Sequence, residues 1–106
     1  RVKVARYGGA SMEPSAEADT AAPSFVMLQR TIREVYPNVL VAPYLSIGAT
    51  DARHYARLTP NVYRFLPVTA TAGDLRRLHG TDERVNVKDF AQSVRFYRQL
   101  IRNSDY

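Results

Sequence analysis

The sequence contains no cysteine. Disulfide scaffolds, thiol nucleophiles and thiolate zinc sites are excluded together, which leaves His, Asp and Glu as the metal-ligating side chains. Histidine is scarce as well, with His54 and His79 the only two in 106 residues. No stretch approaches the ~20 consecutive apolar residues of a membrane helix, so no membrane segment is expected. Residue 1 is Arg and a polar-alternating stretch follows, so a secretory leader pattern is missing. An initiating Met is also lacking, and the chain reads as a processed, trimmed or partial product whose compartment the sequence leaves open.

What is present fits one small domain with a modest core. Fifteen Lys and Arg against ten Asp and Glu give a formal charge of +5, which raises the question of a nucleic-acid partner. Thirteen of the fifteen cations are Arg, however, and they are scattered from Arg1 to Arg102. No RNA-binding aromatic strands and no zinc finger accompany them. An Arg-biased surface is the favoured account, with no nucleic acid as partner, and small anionic substrates remain compatible with the charge.

Residues 1–7 alternate, with Val2 and Val4 on one face, as in a half-buried strand. Gly8-Gly9 ends it, and residues 10–20, small and polar with Pro14, Ser15 and Asp19, read as a linker. A helix is predicted from about Ala21 to Tyr36, capped by Asp19 or Thr20, with Phe25, Leu28, Ile32 and Val35 as its apolar stripe. Val39–Leu45 and Val62–Val68 read as buried strands. Between them, a helical turn follows Thr50, and a short helical piece is expected around Asp74–Leu78. The clearest helix runs from about Val87 to Asn103, capped by Asn86, with Asp89 in its first turn. Its expected buried face is Val87, Phe90, Ala91, Val94, Tyr97 and Ile101, with Lys88, Arg95, Arg98 and Arg102 towards solvent. The order of elements predicts an α/β fold: a partial layered sheet with flanking helices, its missing strands supplied by sequence upstream of Arg1.

Chemistry is concentrated in two places. Gly48-Ala49-Thr50-Asp51-Ala52-Arg53-His54 follows a predicted strand end, where α/β sheets bind ligands. Gly permits close backbone approach and Arg offers a planar fork for a carboxylate. The plain alternative is a capped turn in which Asp51 pairs locally and Arg53 is a solvated cation. His79-Gly80-Thr81-Asp82-Glu83 places an imidazole, a good zinc ligand, on a tight loop with carboxylates nearby. One His cannot close a zinc site, and a lone loop His is otherwise a solvent-exposed hydrogen-bonding group.

Taken together, Val41-Ala42-Pro43-Tyr44-Leu45-Ser46-Ile47-Gly48-Ala49-Thr50-Asp51-Ala52-Arg53-His54-Tyr55, Val62-Tyr63-Arg64-Phe65 and His79-Gly80-Thr81-Asp82-Glu83 resemble the di-zinc metallopeptidases that include carboxypeptidase S, glutamate carboxypeptidase, aminoacylase and the N-acyl-amino-acid hydrolases. The likeness extends over nearly the whole chain and is nearest to the carboxypeptidase S and N-acyl-amino-acid hydrolase branch. It implies the C-terminal part of a catalytic α/β domain over residues 19–106. Residues 1–18 would be the end of an inserted lid or dimerisation domain and its crossing linker, leaving a homodimer open.

The same resemblance implies that His79 binds one of two zinc ions. Arg53 would hold a substrate carboxylate, on a loop built by Gly48, Thr50 and Asp51, with His54 as a lining residue and Glu83 in an outer shell. The implied reaction is attack of a zinc-activated water on an amide carbonyl with a Glu shuttling the proton. The remaining ligands and the base have no counterpart here, so this chain should be inactive alone. The implied partners are a small peptide or N-acyl amino acid as substrate and the rest of the catalytic domain upstream. The competing reading is a non-catalytic binding or assembly module that retains the peptidase fold.

Overall fold

Pro23 opens the first helix, α1 (Pro23–Val35), because its fixed φ suits a first helical position and its missing N–H would have no partner there. The cap falls on Ala22, whose side chain makes no capping bond; Asp19 instead accepts from the Ala21 N–H at 2.8 Å. Pro37 follows the C-cap Tyr36, whose N–H reaches the Ile32 carbonyl. The predicted stripe holds: Ile32 is buried, and Phe25, Leu28 and Val35 are half-buried. These statements, and those below, concern the computed structural model of residues 1–5 and 14–105. The end of the expected first strand and part of the expected linker lie outside those residues.

Two short helices follow, α2 (Ala52–Tyr55) and α3 (Ala72–Leu75), and then α4 (Val87–Ser104). Asn86 caps α4 as expected, its side chain accepting from the Lys88 N–H at 2.8 Å, and Asp89 occupies the first turn. α4 lies against α1, and a polar seam joins them. Thr31, fully buried, donates its hydroxyl hydrogen to the Met27 carbonyl at 2.9 Å and accepts from Asn103 Nδ2 at 2.8 Å. Gln92 Nε2 donates to the Val35 carbonyl at 2.9 Å. Phe96, 1% exposed, is the centre of the apolar packing, with the rings of Phe65, Tyr97 and Tyr36 at centroid distances of 5.0, 5.4 and 6.5 Å.

The α/β expectation is overturned. Among the described residues there are four helices and no strand, so no layered sheet is present. Composition suits Val39–Leu45 and Val62–Val68 to extended backbone, but a strand exists only where a neighbour completes its ladder, and no such neighbour pairs with either segment. Leu40 is accordingly 99% exposed, and Tyr44, Leu45 and Ile47 also face solvent. Val2 and Val4, assigned to a half-buried strand, are exposed too.

The segment 61–68 is tied down by side chains instead. Tyr36 donates its hydroxyl hydrogen to the Pro67 carbonyl at 2.8 Å, Tyr63 donates to the Asp19 carbonyl at 2.7 Å, and the Tyr63 ring lies 5.3 Å from that of Phe25.

The buried face of α4 also differs from the expectation. Val87, Phe90, Val94, Tyr97 and Ile101 are exposed, whereas Ser93 and Phe96 are buried and Gln92, Gln99, Leu100 and Asn103 are half-buried. Hydropathy ranks the first stripe higher, but α1 offers the second stripe hydroxyl, carbonyl and carboxylate partners: Thr31, Val35 and Glu34. Arg95, Arg98 and Arg102 are exposed, as expected.

Candidate functional site

The Gly48 loop, bent at Gly48 itself, leads into α2. Thr50 does not act as the formal cap, a position taken by Asp51, yet its hydroxyl accepts from the Ala52 N–H at 3.2 Å and so shapes the turn. Two further bonds close it: Arg53 N–H to the Thr50 carbonyl at 3.3 Å and His54 N–H to the Asp51 carbonyl at 2.9 Å. A methyl group added at Gly48 would meet nothing within 4 Å, which leaves open space beside the loop.

Arg53 and His54 are both exposed, and Arg53 Nε donates to His54 Nε2 at 3.2 Å. In that arrangement His54 Nε2 carries no proton, and both terminal nitrogens of the guanidinium stay available for a two-oxygen anion. Asp51 is exposed and has no ion-pair partner among the described residues.

A shallow cavity of about 380 Å³ lies beside this loop, lined by Tyr44, Thr50, Tyr63, Arg64, Phe65 and Leu66. It contains Thr50 but neither Arg53 nor His79. Arg64 entered the sequence reading only as part of the Val62–Phe65 motif, with no role of its own, and its geometry is specific: Nη1 donates to the Ser46 carbonyl at 3.1 Å and to the Gly48 carbonyl at 2.8 Å. Its position between Tyr63 and Phe65 was the available signal; which of thirteen arginines reaches back across sixteen residues was not readable.

The second segment is held by the short helix before it. Thr71 and Asp74 form a reciprocal cap on α3: Asp74 Oδ2 accepts from the Thr71 N–H at 2.8 Å and Asp74 N–H donates back to Thr71 Oγ1 at 3.3 Å. Arg77 adds an ion pair to Asp74. The side-chain bond with Thr71 comes first, then its backbone N–H, and with the Arg77 charge they hold the Asp74 carboxyl below its ordinary value.

The chain then turns sharply, with Gly80 N–H donating to the Arg77 carbonyl at 2.9 Å. His79 at φ 59° and Asp82 at φ 67° both adopt the left-handed backbone that side chains other than glycine's disfavour. The side chain of His79 is exposed. Asp82 is engaged by Arg84 at 2.8 Å, and Glu83 is exposed.

As a metal site, this turn offers one nitrogen donor. Among the described residues no group of three or more His, Asp or Glu side chains converges to hold an ion. No hydrogen bond or ion pair joins the His79 turn to the Gly48 loop among those residues. Nor is any described helix long and apolar enough to cross a membrane.

Comparison with known proteins identifies the class. The model of peptidase family M20/M25/M40 matches residues 1–103, and the chain belongs to that family. Three relatives show its range. The chain is 44% identical over 105 residues to "Probable carboxypeptidase S-like 2" of Dictyostelium discoideum, covering 99% of this chain and 20% of that protein. It is 37% identical over 93 residues to the human "N-fatty-acyl-amino acid synthase/hydrolase PM20D1", covering 87% of this chain and 18% of the relative. Carboxypeptidase S of Saccharomyces cerevisiae is 27% identical over 104 residues, with 90% and 18% covered. The chain thus spans 20% or less of the length of these curated relatives. No solved structure matches.

Proposed function

We propose that this chain is the C-terminal portion of a zinc-dependent exopeptidase or N-acyl-amino-acid amidohydrolase acting on an amide or peptide bond next to a free carboxylate. His79 supplies one of the ligands for two zinc ions. Arg53 holds the substrate carboxylate, Gly48, Thr50 and Asp51 build its loop, and Glu83 supports the metal ligand from outside. His54 lines the pocket and also orients Arg53, since it occupies Nε and leaves the two terminal nitrogens for the carboxylate. When bound, zinc supplies electrophilic polarisation of the scissile carbonyl. The chain alone is inactive, because the general base and the other ligands belong to the rest of the enzyme.

The observation that carries this reading is the backbone of the His79 turn. A histidine in left-handed backbone costs of order 1–2 kcal/mol, and such cost persists where the surroundings over-determine a geometry, as at binding sites. The relatives named as carboxypeptidases and as an N-fatty-acyl-amino acid synthase/hydrolase support the same substrate class. Residues 1–18 then end an inserted lid or dimerisation domain, and 19–106 belong to the catalytic domain.

The test is metal stoichiometry. His79→Ala in the parent enzyme lowers bound zinc, measured by plasma emission spectrometry, and nearly abolishes turnover. Unchanged zinc content in that variant overturns the assignment.

A further inference from the structure

We infer that Arg64 is a positioning residue for the carboxylate-binding loop, an inference that rests on the role proposed for Arg53. The argument begins with what else fixes that loop. The hydrogen bonds within residues 50–54 are all local, linking neighbours one to three positions apart. Tyr44, Leu45 and Ile47 are exposed, and the space beside Gly48 is open. Among the described residues, the bonds from Arg64 are the only ones that attach residues 44–54 to a distant part of the chain.

The geometry suits that task. Nη1 carries two hydrogens, and each meets a separate carbonyl, Ser46 at 3.1 Å and Gly48 at 2.8 Å. Gripping two carbonyls on either side of Ile47, where the chain bends at Gly48, fixes the direction of the chain across that residue. Thr50, which shapes the turn leading into α2, lies only two residues further on. Arg64 itself is half-buried on a segment anchored at both ends. Tyr63 bonds to the Asp19 carbonyl, the Phe65 ring packs at a tilt against Phe96 and the Pro67 carbonyl accepts from Tyr36. The position of Arg53 is therefore set by Arg64 relative to the α1–α4 pair. Both hydrogens of Nη1 are spent on main-chain oxygens, which is what gives Arg64 its grip on the loop.

The experiment uses the full-length parent enzyme with Arg64→Gln, Arg64→Lys, Arg53→Gln and the Arg53→Gln/Arg64→Gln double variant. Two readouts are taken: hydrogen–deuterium exchange across residues 44–56, and KM and kcat for an N-acyl amino acid and for its carboxamide. Arg64→Gln accelerates exchange in that segment and raises KM for the carboxylate substrate roughly tenfold, with the smaller share of the loss in kcat. Arg64→Lys, which keeps a cation with several hydrogens, restores part of both. Arg53→Gln raises KM for the same substrate without changing exchange, and the double variant is little worse than the poorer single one.

Unchanged exchange in Arg64→Gln overturns the inference. So does a normal KM in Arg64→Gln when Arg53→Gln raises it. If exchange rises but Arg53→Gln leaves KM unaltered, the grip of Arg64 on the loop stands and the carboxylate role of Arg53 falls.

Discussion

Asn103 Nδ2 lies 2.8 Å from Thr31 Oγ1, closing the C-terminal end of α4 onto the middle of α1 with a bond between two side chains 72 positions apart. The same amide donates to Glu34 Oε2 at 2.9 Å, and Gln99 donates to that oxygen at 2.9 Å. The Asn103 bond, followed by that of Gln99 and the Arg30 charge, holds the Glu34 carboxyl below its ordinary value despite some opposing desolvation. Asn103→Ala strips the buried Thr31 hydroxyl of its donor and should cost the parent enzyme about 1–2 kcal/mol in chemical denaturation. Asn103→Asp, which cannot donate to either oxygen in its ionised form, should cost at least as much.

The α3 cap gives a pH dependence with a definite sign. Asp74 is ionised more readily in the folded chain than in an unfolded one, because Thr71 and Arg77 bind its charged form. Its contribution is therefore complete above the ordinary carboxylate range and is lost as pH falls through the depressed folded value. The protection factors of the Thr71 and Asp74 amides, referred to the unfolded-chain exchange rate at each pH, should fall on acidification over that acidic window, and Asp74→Asn should remove the dependence. An unaltered profile in that variant would show that another group is responsible.

Backbone strain in the His79 turn predicts an asymmetric mutational pattern at Asp82. Asp82→Asn should be nearly neutral and Asp82→Gly neutral or stabilising, since both residues accept φ near +60°. The lost Arg84 ion pair is more than half exposed on each side and contributes little. Asp82→Val should lower stability by about 1–2 kcal/mol, because a β-branched side chain collides in that conformation. Thermal melts of the three parent-enzyme variants check the order.

The isolated 106-residue chain should fold weakly. Among the described residues the buried hydrophobic side chains are Ala22, Ile32 and Phe96, while twenty large hydrophobic residues are exposed. Its radius of gyration is 16.9 Å, against about 13 Å for a compact domain of this length. A thermal scan of the isolated chain should show a broad, non-cooperative change in ellipticity. A sharp two-state transition would contradict this.

Much of the helical structure was legible because its determinants are local. Pro23, Pro37 and Asn86 bracket helices through properties that act within a turn, and the stripe from Phe25 to Val35 has the spacing of a helix face. The family was legible for a different reason: three motifs in one order constrain each other more than any does alone.

Other features depend on partners that local sequence does not specify. Val39–Leu45 has the composition of a strand and no ladder. On α4, Phe90 and Val94 looked better suited to burial than Gln92 or Asn103, yet the polar seam of α1 selects the latter. At the candidate site, Arg53, His54 and His79 were picked out by motif, while the reach of Arg64 to two carbonyls required the folded chain.

Phe96 has a consequence for how the Gly48 loop answers to temperature. The route from Phe96 through Phe65 and Arg64 to the Gly48 carbonyl is made of ring contacts and one guanidinium, with no backbone ladder along it. Its stiffness is that of side-chain rotamers, whose freedom grows smoothly with heat, whereas a ladder fails all at once. Amide exchange across residues 44–54 should rise gradually on warming, well before any global melting is seen.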